Sequence, residues 1–246
     1  MKNDICRFMF RHDLKKRLIV ITIISAVVTG FLLALILIFG NSMEGQPSNV
    51  LTIIACFYTF AITFAVAARV HGMELCFNRS RKTGMKAIFA ELAVIIPYNA
   101  VLAVACEYIL SKVSGSSGGF VYEFKTFPSM LGLCGSEGVT GVLAAFGFTM
   151  LMLYAISVLA MLLITVIFRI GKYAWVGFWV LYMLLIFSSD SLLNPFKKFA
   201  SFIGVSIGVL ALMGIILVSV VFTVLFILLY RKTELNKNAL GFARAS

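Results

Sequence analysis

Residues 18–39 form an apolar stretch that carries no charged side chain. A helix needs roughly 20 such residues to cross the hydrocarbon core of a bilayer. Five later stretches have a similar character, although the third contains Glu91, Pro97 and Glu107. We therefore predict an all-α integral membrane protein that forms one transmembrane domain over 1–246. Its six predicted spans are about 18–39, 50–68, 87–110, 139–168, 173–188 and 199–230.

Composition excludes an ordinary soluble protein. Apolar residues make up 61% of the chain and charged residues 13%, whereas soluble domains have about 45–50% and about 25%. The five cysteines are widely spaced and contain no C-x-x-C pair, so we predict neither a disulfide framework nor a metal site. They are Cys6, Cys56, Cys76, Cys106 and Cys134.

The basic residues set the orientation. With these spans, 17 of the 21 Lys and Arg residues fall on the side of the two termini. The positive-inside rule then places both termini in the cytoplasm, which requires an even number of spans. The net charge of +11 is explained by this asymmetry, so we predict no nucleic-acid partner. The basic residues on the opposite side are Lys112, Lys125, Lys197 and Lys198.

The N-terminal residues 2–17 are amphipathic. On a helical wheel Ile5, Phe8 and Met9 cluster on one side, and Arg7 and Arg11 fall opposite. This pattern favours an interfacial helix that lies on the inner leaflet before the first span. The alternative is a basic tail that serves only to set the topology.

The segment 71–86 follows the second span and is predicted to be a cytoplasmic loop. It is compact, basic and helix-capable, and Ser80 and Thr83 are candidate helix caps. A loop of this size suits docking into the groove of a partner protein; the alternative is a charge cluster that only fixes the topology. Its candidate coupling residues are Glu74, Arg79, Ser80, Arg81, Lys82 and Thr83.

Two acidic residues fall inside the third span. Ionised groups are costly in lipid and usually face a partner or a cavity. Glu91 is expected near the inner interface, beside Arg69, and Glu107 near the outer one. They would either relay a proton or cation or, as we favour, serve as structural ion pairs or snorkelling groups. Pro97 between them is expected to kink the span.

Catalytic motifs are missing from the sequence. No GxxxxGK[ST] loop is present, so the chain is not expected to hydrolyse a nucleotide or to bind a cofactor itself. Its two histidines, His12 and His71, are both predicted on the cytoplasmic side, which argues against an intramembrane protease. We therefore predict that the protein is not an enzyme.

Two short motifs carry a family resemblance: NRSRKTG over 78–84, just before the third span, and YRKTEL over 230–235, where the chain leaves the last span. Together with the architecture, they resemble the permease subunit of bacterial ABC type-2 (exporter-like) transporters, in their compact six-helix subgroup. The resemblance implies a protein of the bacterial cytoplasmic membrane that pairs with a second permease, identical or a sister. A separate cytosolic ABC ATPase would hold ATP and Mg.

The same resemblance implies a coupling mechanism. Residues 74–86, with the N-terminal helix, would seat in a groove of the ATPase, and Arg79, Arg81 and Lys82 would pair with its acidic groups. The aliphatic and aromatic spans suit amphipathic cargo such as a peptide antibiotic, a lipid or a hydrophobic drug. Two alternatives stay open: an ion-gradient-driven secondary transporter or channel, and a membrane scaffold that recruits a cytosolic partner.

Overall fold

Long helices dominate the structure. The computed structural model describes residues 2–39, 50–77, 81–116, 138–171 and 207–232, and part of 173–180. Nearly all of these residues are helical, and no strand occurs among them. The described part therefore confirms the all-α class. Its long helices are α1 (Lys2–Phe39), α2 (Val50–Phe77), α3 (Arg81–Ser116), α4 (Gly138–Ile170) and α5 (Ile207–Lys232).

Each of these helices contains a stretch that is long and apolar enough to cross a membrane. The stretches coincide with five of the six predicted spans, which supports a multi-pass membrane protein. The remaining predicted span, 173–188, lies largely outside the described residues, so the count of six and the side of the termini stay predictions. The apolar stretches are Asp13–Ala34, Leu51–Met73, Arg81–Val113, Gly138–Ile170 and Val209–Arg231.

The first helix differs from its prediction. α1 runs without interruption from Lys2 to Phe39, so the predicted break between an interfacial helix over 2–17 and a span over 18–39 is absent. No proline interrupts this sequence, and the backbone hydrogen-bond ladder therefore continues through residues 17 and 18. The location of 2–17 on the inner leaflet stays a prediction.

The connection between α2 and α3 is shorter than predicted. α2 continues to Phe77 and α3 begins at Arg81, so 71–77 and 81–86 are helical and the predicted loop over 71–86 is wrong in extent. Its remainder, 78–80, lies outside the described residues. No proline lies between Arg69 and Phe77, and His71 is buried against other helices, which explains why α2 extends beyond the predicted span.

α4 ends at a glycine in the left-handed conformation. Gly171 has a φ of 87°, and its amide donates to the carbonyl of Ile167 at 2.7 Å. This is an αL cap, which satisfies a carbonyl that the last helical turn would leave unpaired. Arg169 in the last turn faces the negative end of the helix dipole. The helix therefore stops at Ile170, and Gly171 reverses the backbone conformation.

The helices contribute to two compact units. The first contains α1, α2 up to Thr59, α3 from Ala93, and α4 up to Leu153. Within it, Leu51 and Leu110 form a buried cluster, with Val28 and Leu32 packed against them. The second contains α2 from Phe60, α3 up to Leu92, α4 from Tyr154, and α5. Its largest fully buried side chains include Phe168, Phe226 and Met161.

α1 and α5 are less buried than the other helices. In their most apolar windows, 6% of the α1 residues and 11% of the α5 residues are buried, against 56% for α4. A soluble protein does not expose apolar area of this extent. These two helices therefore present apolar surface to lipid or to another chain.

Candidate functional site

Glu107 is a buried acidic side chain of the first unit that accepts two hydrogen bonds. Its Oε1 accepts a hydrogen bond from the Thr52 amide at 2.9 Å and another from the Thr52 hydroxyl at 3.0 Å. Both residues are buried. Thr52 lies in the first turn of α2, where amide groups have no partner within the helix. Glu107 of α3 therefore caps the N-terminus of α2, where a carboxylate is also favoured by the helix dipole.

Asn99 makes a second polar link between the same helices. Its Nδ2 donates to the Thr59 hydroxyl at 2.6 Å and to the Ala55 carbonyl at 3.3 Å. Asn99 and Thr59 are both buried. Glu107 pairs with Thr52, and Asn99 pairs with Thr59. Residue numbers therefore decrease along α3 in the direction in which they increase along α2, so the two helices run antiparallel in this unit.

Polar groups at other points of the first unit also satisfy one another. The hydroxyls of Thr22 in α1 and Tyr98 in α3 are hydrogen-bonded at 2.5 Å. The hydroxyl oxygen of Tyr58 differs, because it is buried and has no hydrogen-bond partner in the described part of the chain. It borders a cavity of about 10 Å³ that Ser25 and Asn99 also line. A cavity of this size holds at most about one water molecule and cannot serve as a substrate pathway.

The second unit contains an aromatic cluster around His71. The imidazole stacks on the ring of Phe168 in α4, with ring centroids 4.9 Å apart. It also makes an edge-to-face contact with the ring of Tyr230 in α5, where the centroids are 4.8 Å apart. Its Nδ1 is 2.8 Å from the Ala67 carbonyl, and its Nε2 is 3.4 Å from the Thr165 hydroxyl. His71 is 1% exposed. It therefore acts as a packing residue between three helices, rather than as the loop residue that the sequence predicted.

Two hydroxyl pairs link the helices of the same unit further along. Thr63 donates to the Ser157 hydroxyl at 3.2 Å, and the Tyr154 and Thr223 hydroxyls lie 2.9 Å apart. These pairs, with the His71 contacts, show that α2, α4 and α5 run in the same direction here, because residue numbers rise together along all three. Small hydroxyl side chains suit such contacts because they let helices approach closely.

Basic residues meet where α3 begins and α5 ends. The Arg81 guanidinium donates through Nη1 to the Arg231 carbonyl at 2.8 Å, and thereby satisfies a terminal carbonyl of α5. Beside it is a pocket of about 540 Å³, lined by Arg81, Lys82, Met85, Tyr230 and Arg231. Lys82 and Arg231 are exposed, and the described lining contains no acidic side chain. This basic pocket is the clearest candidate site in the described residues.

The structure separates the predicted coupling residues. Arg81 is half-buried at the first turn of α3, and Lys82 and Thr83 are exposed there. Glu74 belongs to α2, with its side chain outside the described part, while Arg79 and Ser80 lie outside it altogether. Arg81 therefore stabilises the junction of α3 with α5, and the exposed groups available to a partner are those that follow it.

The two predicted intramembrane acids are both buried, Glu91 at 8% and Glu107 at 4% exposure. Glu107 is hydrogen-bonded to the first turn of α2, and its predicted role as an ion pair or a snorkelling group stays a prediction. The proposed pairing of Glu91 with Arg69 stays a prediction. Among the described residues, no group of three His, Cys, Asp or Glu side chains is placed to hold a metal ion.

Comparison with known proteins gives no relative: no protein family, curated protein or solved structure matches the chain.

Several residues that make contacts between helices had no recognisable signal in the sequence. Thr52 and Tyr230 look like ordinary members of apolar spans, and their roles depend on Glu107 and His71, which lie far away along the chain. Asn99 carried a partial signal, because an amide within an apolar span is costly unless it is paired. The sequence identifies such a residue as exceptional but does not supply its partner.

Proposed function

We propose that the chain is the transmembrane subunit of an ATP-driven ABC transporter, working with a separate cytosolic ATPase and a second permease in a bacterial cytoplasmic membrane. The observation that supports this most is the exposed basic turn at Lys82 and Thr83, directly after the short connection from α2. A rigid helix end with exposed charge can transmit the movement of a docked protein along the whole of α3.

The contacts of the second unit support a six-span topology for this subunit. Phe168 of α4 and Tyr230 of α5 both contact His71, and each lies in the last turn of its helix. Two parallel helices that end at the same level are compatible with one further crossing between them, which stays a prediction. The segment 171–206 is longer than the roughly 20 residues that one crossing needs. This count supports the proposed sixth span, and the proposed cytoplasmic side of the termini rests on the positive-inside rule.

The alternative of an ion-gradient-driven transporter is less well supported. A relay carboxylate must exchange its proton or ion with water or with another relay group. The Glu107 carboxylate is instead buried and bonded to the end of α2 through the Thr52 amide and hydroxyl. This arrangement favours a structural role for it.

The cargo that we propose is amphipathic: a peptide antibiotic, a lipid or a hydrophobic drug. α1 and α5 present large apolar side chains outward, including Phe31, Leu217 and Met213, each more than 60% exposed. Pairing of two permeases through such faces would form a pathway with apolar walls, which is better suited to amphipathic molecules than to sugars or ions.

Charge reversal at Lys82 tests the docking of the ATPase. Arg81 is unsuitable, because its replacement would also remove the bond to the Arg231 carbonyl. The membrane-extracted protein should co-purify with a nucleotide-binding subunit from its native host, and Lys82→Glu should reduce recovery of that subunit about tenfold or more, since like charges across an interface repel.

Lys112→Glu is the matched control. Lys112 is also an exposed lysine of α3, but it belongs to the last turns of this helix, which runs from Arg81 to Ser116. It should therefore leave the recovery unchanged. Absence of any nucleotide-binding subunit from the wild-type preparation, or equal loss with both variants, would contradict the proposal.

A further inference from the structure

The basic pocket between α3 and α5 has the chemistry of a site for an anion. Its described lining includes the cationic groups of Arg81, Lys82 and Arg231. Within the described part of the chain, the bond from Arg81 to the Arg231 carbonyl uses one of several guanidinium N–H donors. Like charges held this close repel one another, and an anion bound between them removes that repulsion.

The position of the pocket relative to the membrane indicates which class of anion it would bind. Arg81 begins the apolar stretch of α3, and Arg231 ends that of α5. The pocket therefore lies at the level where hydrocarbon gives way to headgroups. On the predicted topology this is the cytoplasmic leaflet, whose anionic lipids attract basic residues close to the ends of spans.

An apolar track leads away from the pocket along α5. Leu228 and Val224 lie one and two turns before Arg231 on the same face of the helix, and they are 49% and 50% exposed. Met85 adds an apolar group to the pocket itself. This combination of cations at the headgroup level with exposed aliphatic side chains beside them fits a lipid better than a soluble anion.

We propose that the pocket lined by Arg81, Lys82 and Arg231 binds the phosphate-bearing headgroup of an anionic phospholipid, with an acyl chain along Val224 and Leu228. Its volume of about 540 Å³ lies within the range of small-molecule sites. A bound lipid would join the start of α3 to the end of α5, in addition to the Arg81 hydrogen bond. The proposal goes beyond the transporter function and does not depend on it.

Native mass spectrometry of the detergent-purified full chain tests the site. The protein is titrated with phosphatidylglycerol, with phosphatidylcholine and with inorganic phosphate. Phosphatidylglycerol should bind with defined stoichiometry, and the double variant Lys82→Gln/Arg231→Gln should weaken it roughly 30-fold, since each cation near a membrane surface contributes about 1 kcal/mol. The double variant keeps the backbone carbonyl that Arg81 binds, so the junction between the helices is retained.

Two further variants control for charge and folding. Arg169→Gln removes an exposed cation of α4 that does not line the pocket, and it should leave the affinity unchanged. Lys82→Arg/Arg231→Lys preserves both charges and should retain binding. Equal affinity for phosphatidylcholine, equal weakening by Arg169→Gln, or inorganic phosphate binding as tightly as the lipid would each overturn the proposal. So would a double variant that binds phosphatidylglycerol normally but loses a co-purifying ATPase, since the occupant would then be a protein.

Discussion

Replacement of Glu107 by leucine should destabilise the protein by about 2–4 kcal/mol. The change removes the acceptor for both the Thr52 amide and the Thr52 hydroxyl, which lie 2.9 and 3.0 Å from its Oε1. A buried donor without a partner costs about 1–3 kcal/mol, although measured hydrogen bonds within membrane proteins average nearer 0.6 kcal/mol. Glu107→Gln keeps an acceptor oxygen at the same place and should cost about 1 kcal/mol or less.

A double-mutant cycle with Thr52 isolates the contact. Thr52→Val removes the hydroxyl donor and keeps the amide, so in the wild-type background it should cost about 1 kcal/mol. In the Glu107→Leu background it should cost almost nothing, because the hydroxyl has already lost its acceptor. The coupling energy is then about 1 kcal/mol.

Reversible unfolding of the purified protein in mixed micelles, titrated with a denaturing detergent, supplies these free energies. If Thr52→Val costs the same in both backgrounds, the Glu107 carboxylate does not accept from the Thr52 hydroxyl and the capping argument fails. Transport by the same variants gives a functional test. Activity retained by Glu107→Gln agrees with a structural carboxylate, whereas activity lost without any loss of stability would restore the ion-relay alternative.

Three further perturbations test the end of α4, the Tyr58 hydroxyl and the topology predicted from the sequence. Gly171→Ala should lower the free energy of unfolding by about 1–2 kcal/mol in the same assay, because an L side chain at a φ of 87° is strained. The control Gly147→Ala, which lies within α4 and has open space around it, should not lower it. Equal losses in both variants would refute the cap. Tyr58→Phe removes a buried hydroxyl oxygen that has no described partner, so it should be neutral or stabilising by up to about 1 kcal/mol, and clear destabilisation would contradict this. A variant that retains only Cys76 should react with a membrane-impermeant thiol reagent from the cytoplasmic side; reaction from the exterior alone would invert the predicted topology.

The structure moves the boundaries of the N-terminal segments that the sequence predicted. Amphipathicity over 2–17 correctly indicates a helix, but it cannot show whether that helix is separate from the next, since both halves of α1 favour helix and no proline divides them. Similarly, the basic character of 71–86 suggested a loop, although His71 is buried in the second unit. The pattern of charged residues indicates which segments favour the membrane surface, but it does not indicate where a helix ends.

The candidate site was only partly accessible from the sequence. The motif over 78–84 drew attention to Arg81 and Lys82, and both line the basic pocket. Their partner Arg231 was assigned to the same side of the membrane by the positive-inside rule, but nothing in the sequence pairs it with Arg81. The two are 150 positions apart, and the hydrogen bond between them exists because α3 begins where α5 ends.

The helical membrane class and the approximate position of each described span can be predicted from the amino-acid pattern, because the bilayer imposes a length of apolar helix that can be read locally. The amino-acid pattern also identified Glu107 as a group that needs a partner or a cavity. The folded arrangement of the helices then pairs Glu107 with the first turn of α2 and Asn99 with the Thr59 hydroxyl. Lipid solvates every apolar helix face almost equally well. Which helices pack together therefore depends on close steric fit and on paired polar groups, and these form between residues that are distant in the chain.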